Sequence, residues 1–209
     1  MNYLREMAEG GYHPEAIGTF HNVMVPWLAA HFEIGKSDAI VDIGAGQGHC
    51  LIPLHNAGYS RLIAVDVDDY NFAHFNQKYG IQTIKRDVSE GPLDIESGTV
   101  AAVYCFHLIE HLPTPTNLLT EAYRILRSGG KLFLVTPDWR KQWRTFYRDP
   151  THIRPYDKEA LMRLLQAHSF HATVSSWGTA YGLGRLKAYK LFPRLALMGR
   201  DILVVGEKT

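Results

Sequence analysis

Residues 39 to 48 read Ala39-Ile40-Val41-Asp42-Ile43-Gly44-Ala45-Gly46-Gln47-Gly48, and the reading of this stretch decides the fold. Four apolar residues with one acid among them make a short buried strand. Three glycines at alternate positions follow, and then a stretch able to be helical. A strand that runs into a glycine turn and then a helix suits cofactor binding: the glycines let the backbone pass close to a ligand, and the first N–H groups of the helix face it. The spacing is not the dinucleotide one. In G-x-G-x-x-G the third glycine follows the second by three residues. Here Gly48 follows Gly46 by two, and Asp42 stands two residues before Gly44.

Working outward, residues 49–57 are the expected first helix, which Pro53 shortens or bends if it lies beyond the first turn. Arg61-Leu62-Ile63-Ala64-Val65-Asp66 is a second strand ending in an acid, 20 residues after Gly46. An acid in that place can accept hydrogen bonds from both hydroxyls of a ribose. Its other reading is a helix N-cap, a task that Asp68 or Asp69 could perform equally. Residues 69–79 read as a helix stopped by Gly80, residues 81–85 as a third strand, and Arg86-Asp87-Val88 follows directly. Residues 99–105 are a fourth strand, which ends in Phe106-His107-Leu108-Ile109-Glu110-His111-Leu112. Thr116 is placed to cap a helix over 117–127, and a glycine turn at 127–131 leads into an apolar fifth strand, 132–136.

The D-x-G-x-G-x-G loop of residues 42–48, Asp66, Asp87 and Glu110-His111-Leu112, taken in order, resemble the class I S-adenosylmethionine-dependent methyltransferases. Asp149-Pro150-Thr151-His152 resembles a signature of some small-molecule and sugar-modifying members. The likeness covers about residues 38 to 170. It implies an α/β fold: a doubly wound, seven-stranded, mainly parallel Rossmann-like sheet with helices on both faces and the last strand antiparallel beside the fifth. It implies S-adenosylmethionine as cofactor, S-adenosylhomocysteine as product, and methyl transfer to a small-molecule acceptor, with a hydroxyl oxygen of a sugar or polyketide-like molecule as the leading expectation. On the cofactor side it places Asp42, Gly44, Ala45, Gly46, Gly48, Asp66, Val67, Asp87, Val88 and Phe106, with Asp87 on the adenine amino group and Val88 or Ile43 in apolar contact. On the substrate side the candidates are His107, His111 and His152. His152 stands first, as a general base or an orienting group; locking its loop through hydrogen bonds is the competing role. A base is needed only where the nucleophile has a proton to lose.

Composition excludes several classes. The 209 residues suit one domain, 1–209, and 22 basic against 21 acidic side chains leave a net charge of +1. Nothing global points to nucleic acid or an anionic membrane, and no apolar run approaches the roughly 20 residues that span a bilayer. Cys50 and Cys105 lie in apolar surroundings, which fits a reducing, cytoplasmic setting rather than a disulfide framework. Residues 1–12 carry Arg5, Glu6 and Glu9 and lack the apolar core of a signal peptide. After the fourth strand, Cys105-Phe106-His107-Leu108 stands where amino-methylating DNA enzymes carry Asn/Asp-Pro-Pro-Tyr/Phe, and neither cysteine follows a proline as in cytosine-carbon enzymes. His107-Leu108-Ile109-Glu110-His111 formally matches H-x-x-E-H, an inverted zinc-peptidase motif. That motif needs a helix, and Pro113 and Pro115 leave little room for one, so no metal is expected. A nicotinamide oxidoreductase and a non-catalytic S-adenosylmethionine-binding protein are the remaining alternatives.

Two flanking regions complete the chain. Residues 1–36 suggest an N-terminal helical cover, helical over 15–33 and kinked or divided at Pro26, with Tyr12 and His13 near the site; a helix packed on the sheet edge is the plainer reading. Residues 137–156 suggest an insertion over the active site. A helix over 139–148 would put Trp139, Trp143, Phe146 and Tyr147 on one face and Arg140, Arg144 and Arg148 on the next. A helix from Asp157 to His168, a sixth strand over 170–177, a basic connection over 178–198 and a closing strand over 201–206 follow.

Overall fold

The structure is a computed structural model and describes residues 19–178, 190 and 193–209. Tyr12, His13 and the start of the N-terminal helix lie outside the described residues, as does most of the basic connection. In chain order the elements are α1 (Thr19–His31), β1 (Ala39–Ile43), α2 (Leu51–Asn56), β2 (Arg61–Asp66), α3 (Phe72–Tyr79), β3 (Gln82–Lys85) and β4 (Val100–Phe106). Then come α4 (Thr116–Ile125), β5 (Leu126–Pro137), α5 (Trp139–Gln142), α6 (Lys158–Ala167), β6 (Phe170–Trp177) and β7 (Asp201–Lys208). The seven strands form one sheet in the order β3-β2-β1-β4-β5-β7-β6. β7 runs antiparallel to both β5 and β6, while β1 to β5 pair in parallel. The expected doubly wound sheet is present, with its last strand beside the fifth.

Alternation along the strands supplies two cores. Ile40, Ala102, Tyr104, Phe133 and Val135 face α1 and α2, packing with Met24, Leu28, Leu51 and Leu54. Val41, Ile43, Val103, Cys105, Leu132 and Leu134 face the other way, onto Leu118, Ala122, Leu161 and Leu165. A strand covered on both faces needs apolar residues at nearly every position, which is why β4 reads as an unbroken run and β1 as one broken only by Asp42. The strand order reverses between β1 and β4, and in open α/β sheets ligands lie beyond the carboxyl ends of the strands at such a point.

Several local expectations are corrected. α1 runs through Pro26 undivided, with Met24, Val25 and Leu28 buried around it. Pro53 is the third residue of α2; the Ile52 and Leu54 N–H groups on either side donate to the Gly48 and Cys50 carbonyls, so its missing N–H interrupts that ladder, and α2 is shorter than the expected 49–57. Thr116 does not cap α4; Pro115 holds that position, and the Thr116 hydroxyl accepts from Thr114 Oγ1 at 3.3 Å. The glycine turn lies within β5, where Val100 pairs with Leu126 and Ala102 with Lys131. A Cβ on Gly130 would fall 2.8 Å from the Arg127 carbonyl, so the chain bulges there only because that position is glycine. Residues 139–148 are not one helix. Asp138 caps the four-residue α5 by accepting from the Arg140 N–H, and a separate 3-10 turn covers Phe146–Arg148. Trp139, Phe146 and Tyr147 still meet edge to face at 5.1–5.8 Å, with Phe146 buried, while Trp143 is exposed with Arg144 over its ring. Arg140 is drawn off to an ion pair with Asp157 at 2.9 Å.

Candidate active site

A cleft of about 630 Å³ opens beyond the carboxyl ends of β1, β2 and β4. One end is the glycine loop. Gly44, Gly46 and Gly48 all have positive φ, at 78°, 50° and 80°, a region that residues with a side chain rarely enter. Gly44 and Gly46 face the cleft, whereas Gly48 lies off its wall, where an added Cβ would meet the Phe75 ring at 2.8 Å. The loop is pinned from three sides. The Gly44 and Ala45 N–H groups donate to the Val65 carbonyl at 2.8 and 3.1 Å. The Gly46 N–H donates to Asp66 Oδ2 at 2.8 Å, and Asn71 Nδ2 donates to the Gly46 carbonyl at 2.9 Å. Asp66 Oδ1 accepts from the Asp68 N–H at 3.0 Å, so the carboxylate is fixed at both oxygens while it lines the cleft.

Asp42, Ile43, Val67, Asp87, Val88 and Phe106 also line it, so every residue expected on the cofactor side except Gly48 borders one cavity. Asp87 is held in its turn by the Ser89 N–H, which donates to Oδ1 at 2.8 Å. Asp42 is buried beneath the loop, and burial, helped by the nearby Asp66 charge and relieved a little by a hydrogen bond from Cys50, pushes its pKa up to about 8. Burial likewise raises Asp66, against the pull of its backbone hydrogen bonds. Gln47 Oε1 is a buried acceptor that finds no hydrogen-bond partner among the described residues, and its residue lines the same wall.

The other end is rich in histidine: His107, His111 and His152 all reach it. His107 follows β4 with φ 54°, a strained value for a residue with a side chain. Its N–H donates to the Val135 carbonyl at 2.8 Å, which holds the turn. Its Nδ1 lies 3.3 Å from Glu110 Oε1, and 44% of its side chain is open to the cleft. Burial would lower its pKa, but the Glu110 hydrogen bond and charge, with Asp201 further off, raise it overall. Glu110 is wholly buried, and its Oε2 accepts from Thr136 Oγ1 at 2.8 Å. Burial would raise this carboxyl, yet His107 and Thr136 hold it below the usual range. Residues 107–111 form a 3-10 turn at Ile109–His111 rather than a helix, so the two histidines of H-x-x-E-H do not share a helical face.

The Asp149-Pro150-Thr151-His152 segment is a side-chain-locked turn. Asp149 Oδ1 accepts from both the Thr151 N–H, at 2.9 Å, and the Thr151 hydroxyl, at 2.6 Å. The Glu110 carbonyl accepts from the N–H groups of Ile153 and Arg154, tying the far side of the turn to the end of β4.

Sequence reasoning missed the part that four residues play. Glu110 was legible only as part of a motif, because Thr136 is 26 residues away. Asn71 sits where an ordinary helix start is expected. His21, from α1, and His49, just past the glycine loop, stack at 5.3 Å and both line the cleft. The position of His49 directly after Gly48 was the available signal. Burial first, and then His49 and His107, lower His21 to about pKa 4. A folded pKa below the unfolded one means that the unfolded chain takes the proton first as pH falls. The associated stability is complete above about pH 6.5 and drains away toward about pH 4. Urea midpoints measured across this window should fall in the native protein and fall less in His21→Asn. Parallel curves for the two would place the titration elsewhere.

A family model described as a methyltransferase domain matches residues 18–173. A probable S-adenosylmethionine-dependent methyltransferase of Mycolicibacterium smegmatis is 28% identical over 78% of this chain and 62% of its own. The ubiquinone biosynthesis O-methyltransferase of Xanthomonas oryzae is 36% identical over 54% of this chain and 48% of its own. The chain spans about half the length of the curated relatives it matches. Among solved structures, a SAM-dependent methyltransferase from Archaeoglobus fulgidus superposes with a TM-score of 0.68 at 19% identity, over 90% of this chain and 94% of that one.

Proposed function

The chain belongs to the class I S-adenosylmethionine-dependent methyltransferases, and from that premise we propose that it transfers the cofactor's methyl group to a hydroxyl oxygen of a small-molecule acceptor. The observation that carries this reading is the arrangement of one cavity with the glycine loop, Asp66 and Asp87 at one end and three histidines at the other. The name of the Xanthomonas relative, an O-methyltransferase, supports oxygen as the acceptor atom.

S-adenosylmethionine, when bound, supplies a methyl on a sulfonium, and S-adenosylhomocysteine is the leaving group. The residues fit this ligand. Asp66, anchored through Gly46 and Asp68, offers acceptors for a ribose. Asp87 offers one for an adenine amino group, with Ile43 and Val88 as apolar neighbours. Gln47 Oε1, buried and without a partner among the described residues, is an acceptor for an amino group. The protein's further task is to hold the acceptor oxygen in line and to exclude water. His107, held in its strained turn by Val135 and Glu110, orients that oxygen.

Calorimetric titration with S-adenosylmethionine, S-adenosylhomocysteine and NAD tests the cofactor. Saturable binding of the first two and not of NAD is expected; binding of NAD alone would overturn the reading. Transfer of labelled methyl to a panel of hydroxylated small molecules tests the acceptor, and transfer to amines alone would overturn the oxygen assignment. His107→Ala should lower kcat about tenfold, the value of one hydrogen bond of about 1.4 kcal/mol, and leave cofactor affinity nearly unchanged.

A further inference from the structure

Glu110, His111 and His152 each bring one possible ligand atom to within 4.8 Å of the other two. They come from two separate stretches of chain, the turn after β4 and the Asp149–His152 turn, which meet at the acceptor end of the cleft. Each is oriented by a second hydrogen bond. The Thr151 hydroxyl donates to Asp149, so its oxygen and the Thr151 carbonyl are left to accept from His111 Nδ1, at 2.9 and 3.1 Å. His152 Nδ1 faces the Phe146 carbonyl at 2.8 Å and must therefore be the donor. Both rings thus carry their proton on Nδ1, which leaves the Nε2 lone pair as the coordinating one. Histidines that bind metals are held in this way, with the other ring nitrogen donating to a carbonyl or carboxylate. Glu110 is fixed through Thr136.

We propose that Glu110, His111 and His152 form a binding site for one divalent first-row transition-metal ion, with its remaining coordination positions open to the acceptor. Two imidazoles and a carboxylate suit Zn²⁺, Mn²⁺, Fe²⁺ or Co²⁺ better than Mg²⁺ or Ca²⁺, which favour all-oxygen sets. Ligand atoms around such an ion stand about 3–3.5 Å apart, so small side-chain rotations close the three around it. The site differs from the H-x-x-E-H arrangement set aside on sequence grounds: His107 is no part of it, and the third ligand comes from the Asp149–His152 turn. An ion here would grip the acceptor's hydroxyl by coordination, beside the wall that His107 lines.

The inference goes beyond the methyl-transfer reading, and its test reads metal rather than turnover. Full-length protein stripped with a chelator is titrated with Co²⁺, whose d–d absorption reports coordination, and then with Zn²⁺ in competition. One ion per chain is expected. His152→Ala should bind at least about 100-fold more weakly, and Thr151→Val, which loses the hydroxyl that accepts from His111 and donates to Asp149, about 10–100-fold more weakly. His171→Ala, on an exposed position of β6, should bind as the native protein does. Circular dichroism confirms that each variant is folded. No saturable binding to native protein up to millimolar metal would overturn the site, as would native-like binding by both His152→Ala and Thr151→Val. Either result leaves the methyl-transfer reading untouched.

Discussion

Gly48→Ala is expected to lower stability by about 2–4 kcal/mol, seen as a lower urea midpoint at unchanged slope. Two costs add. At φ 80° a side chain meets its own backbone, about 1–2 kcal/mol. The new methyl would also stand 2.8 Å from the Phe75 ring and 3.0 Å from Ile52. Phe75 is fully buried, so its ring can yield only by disturbing the core. Gly58 is the control. Its φ is 88°, but an added Cβ meets nothing within 4 Å. Gly58→Ala should therefore show the backbone cost alone. Equal losses at the two positions would mean that contact with Phe75 contributes nothing.

Asp66→Ala should weaken S-adenosylmethionine binding by about 1.5–3 kcal/mol, roughly 10- to 150-fold, in calorimetric titration. The carboxylate is asked to accept from the ribose while it holds the Gly46 and Asp68 N–H groups. Part of the loss could then come from a loosened loop. Asn71→Ala separates the two, because Asn71 grips the same loop at the Gly46 carbonyl and lies outside the cleft lining. A much larger loss for Asp66→Ala than for Asn71→Ala supports direct contact. Equal losses would reduce Asp66 to a loop anchor, and unchanged affinity in folded Asp66→Ala would remove it from the site.

The fold was legible because its signals are local and repeated. β2 was read correctly at both ends, since Arg61 and Asp66 bound an apolar run that burial on two faces requires. The left-handed Gly80 ends α3 as expected, at φ 62°. The glycine-loop end of the cleft was legible for the same reason: a strand must stop where its glycines begin. The acceptor end was not. The aromatic spacing of 139–148 imitates a helical face, but the Asp138 cap and the Asp149 turn fold that stretch into two short pieces. The grouping of Glu110, His111 and His152 depends on hydrogen bonds to Thr136, Thr151 and Phe146, whose separations in sequence carry no periodic signal. His21 and His49 meet only because α1 packs over α2.

The place of β7 has a consequence for the order in which the molecule can assemble. Among the described residues, β6 joins the sheet only through β7, and β5 is bordered on that side by β7. While the chain is being made, the apolar edge of Leu132 to Val135 must wait for the last strand to emerge, with β6 already synthesised beside it. During that interval a premature pairing of β5 with β6 competes with the native order, and an unpaired apolar edge is open to other chains. The strand farthest along the sequence from the glycine loop thus sets when the sheet that supports that loop can close.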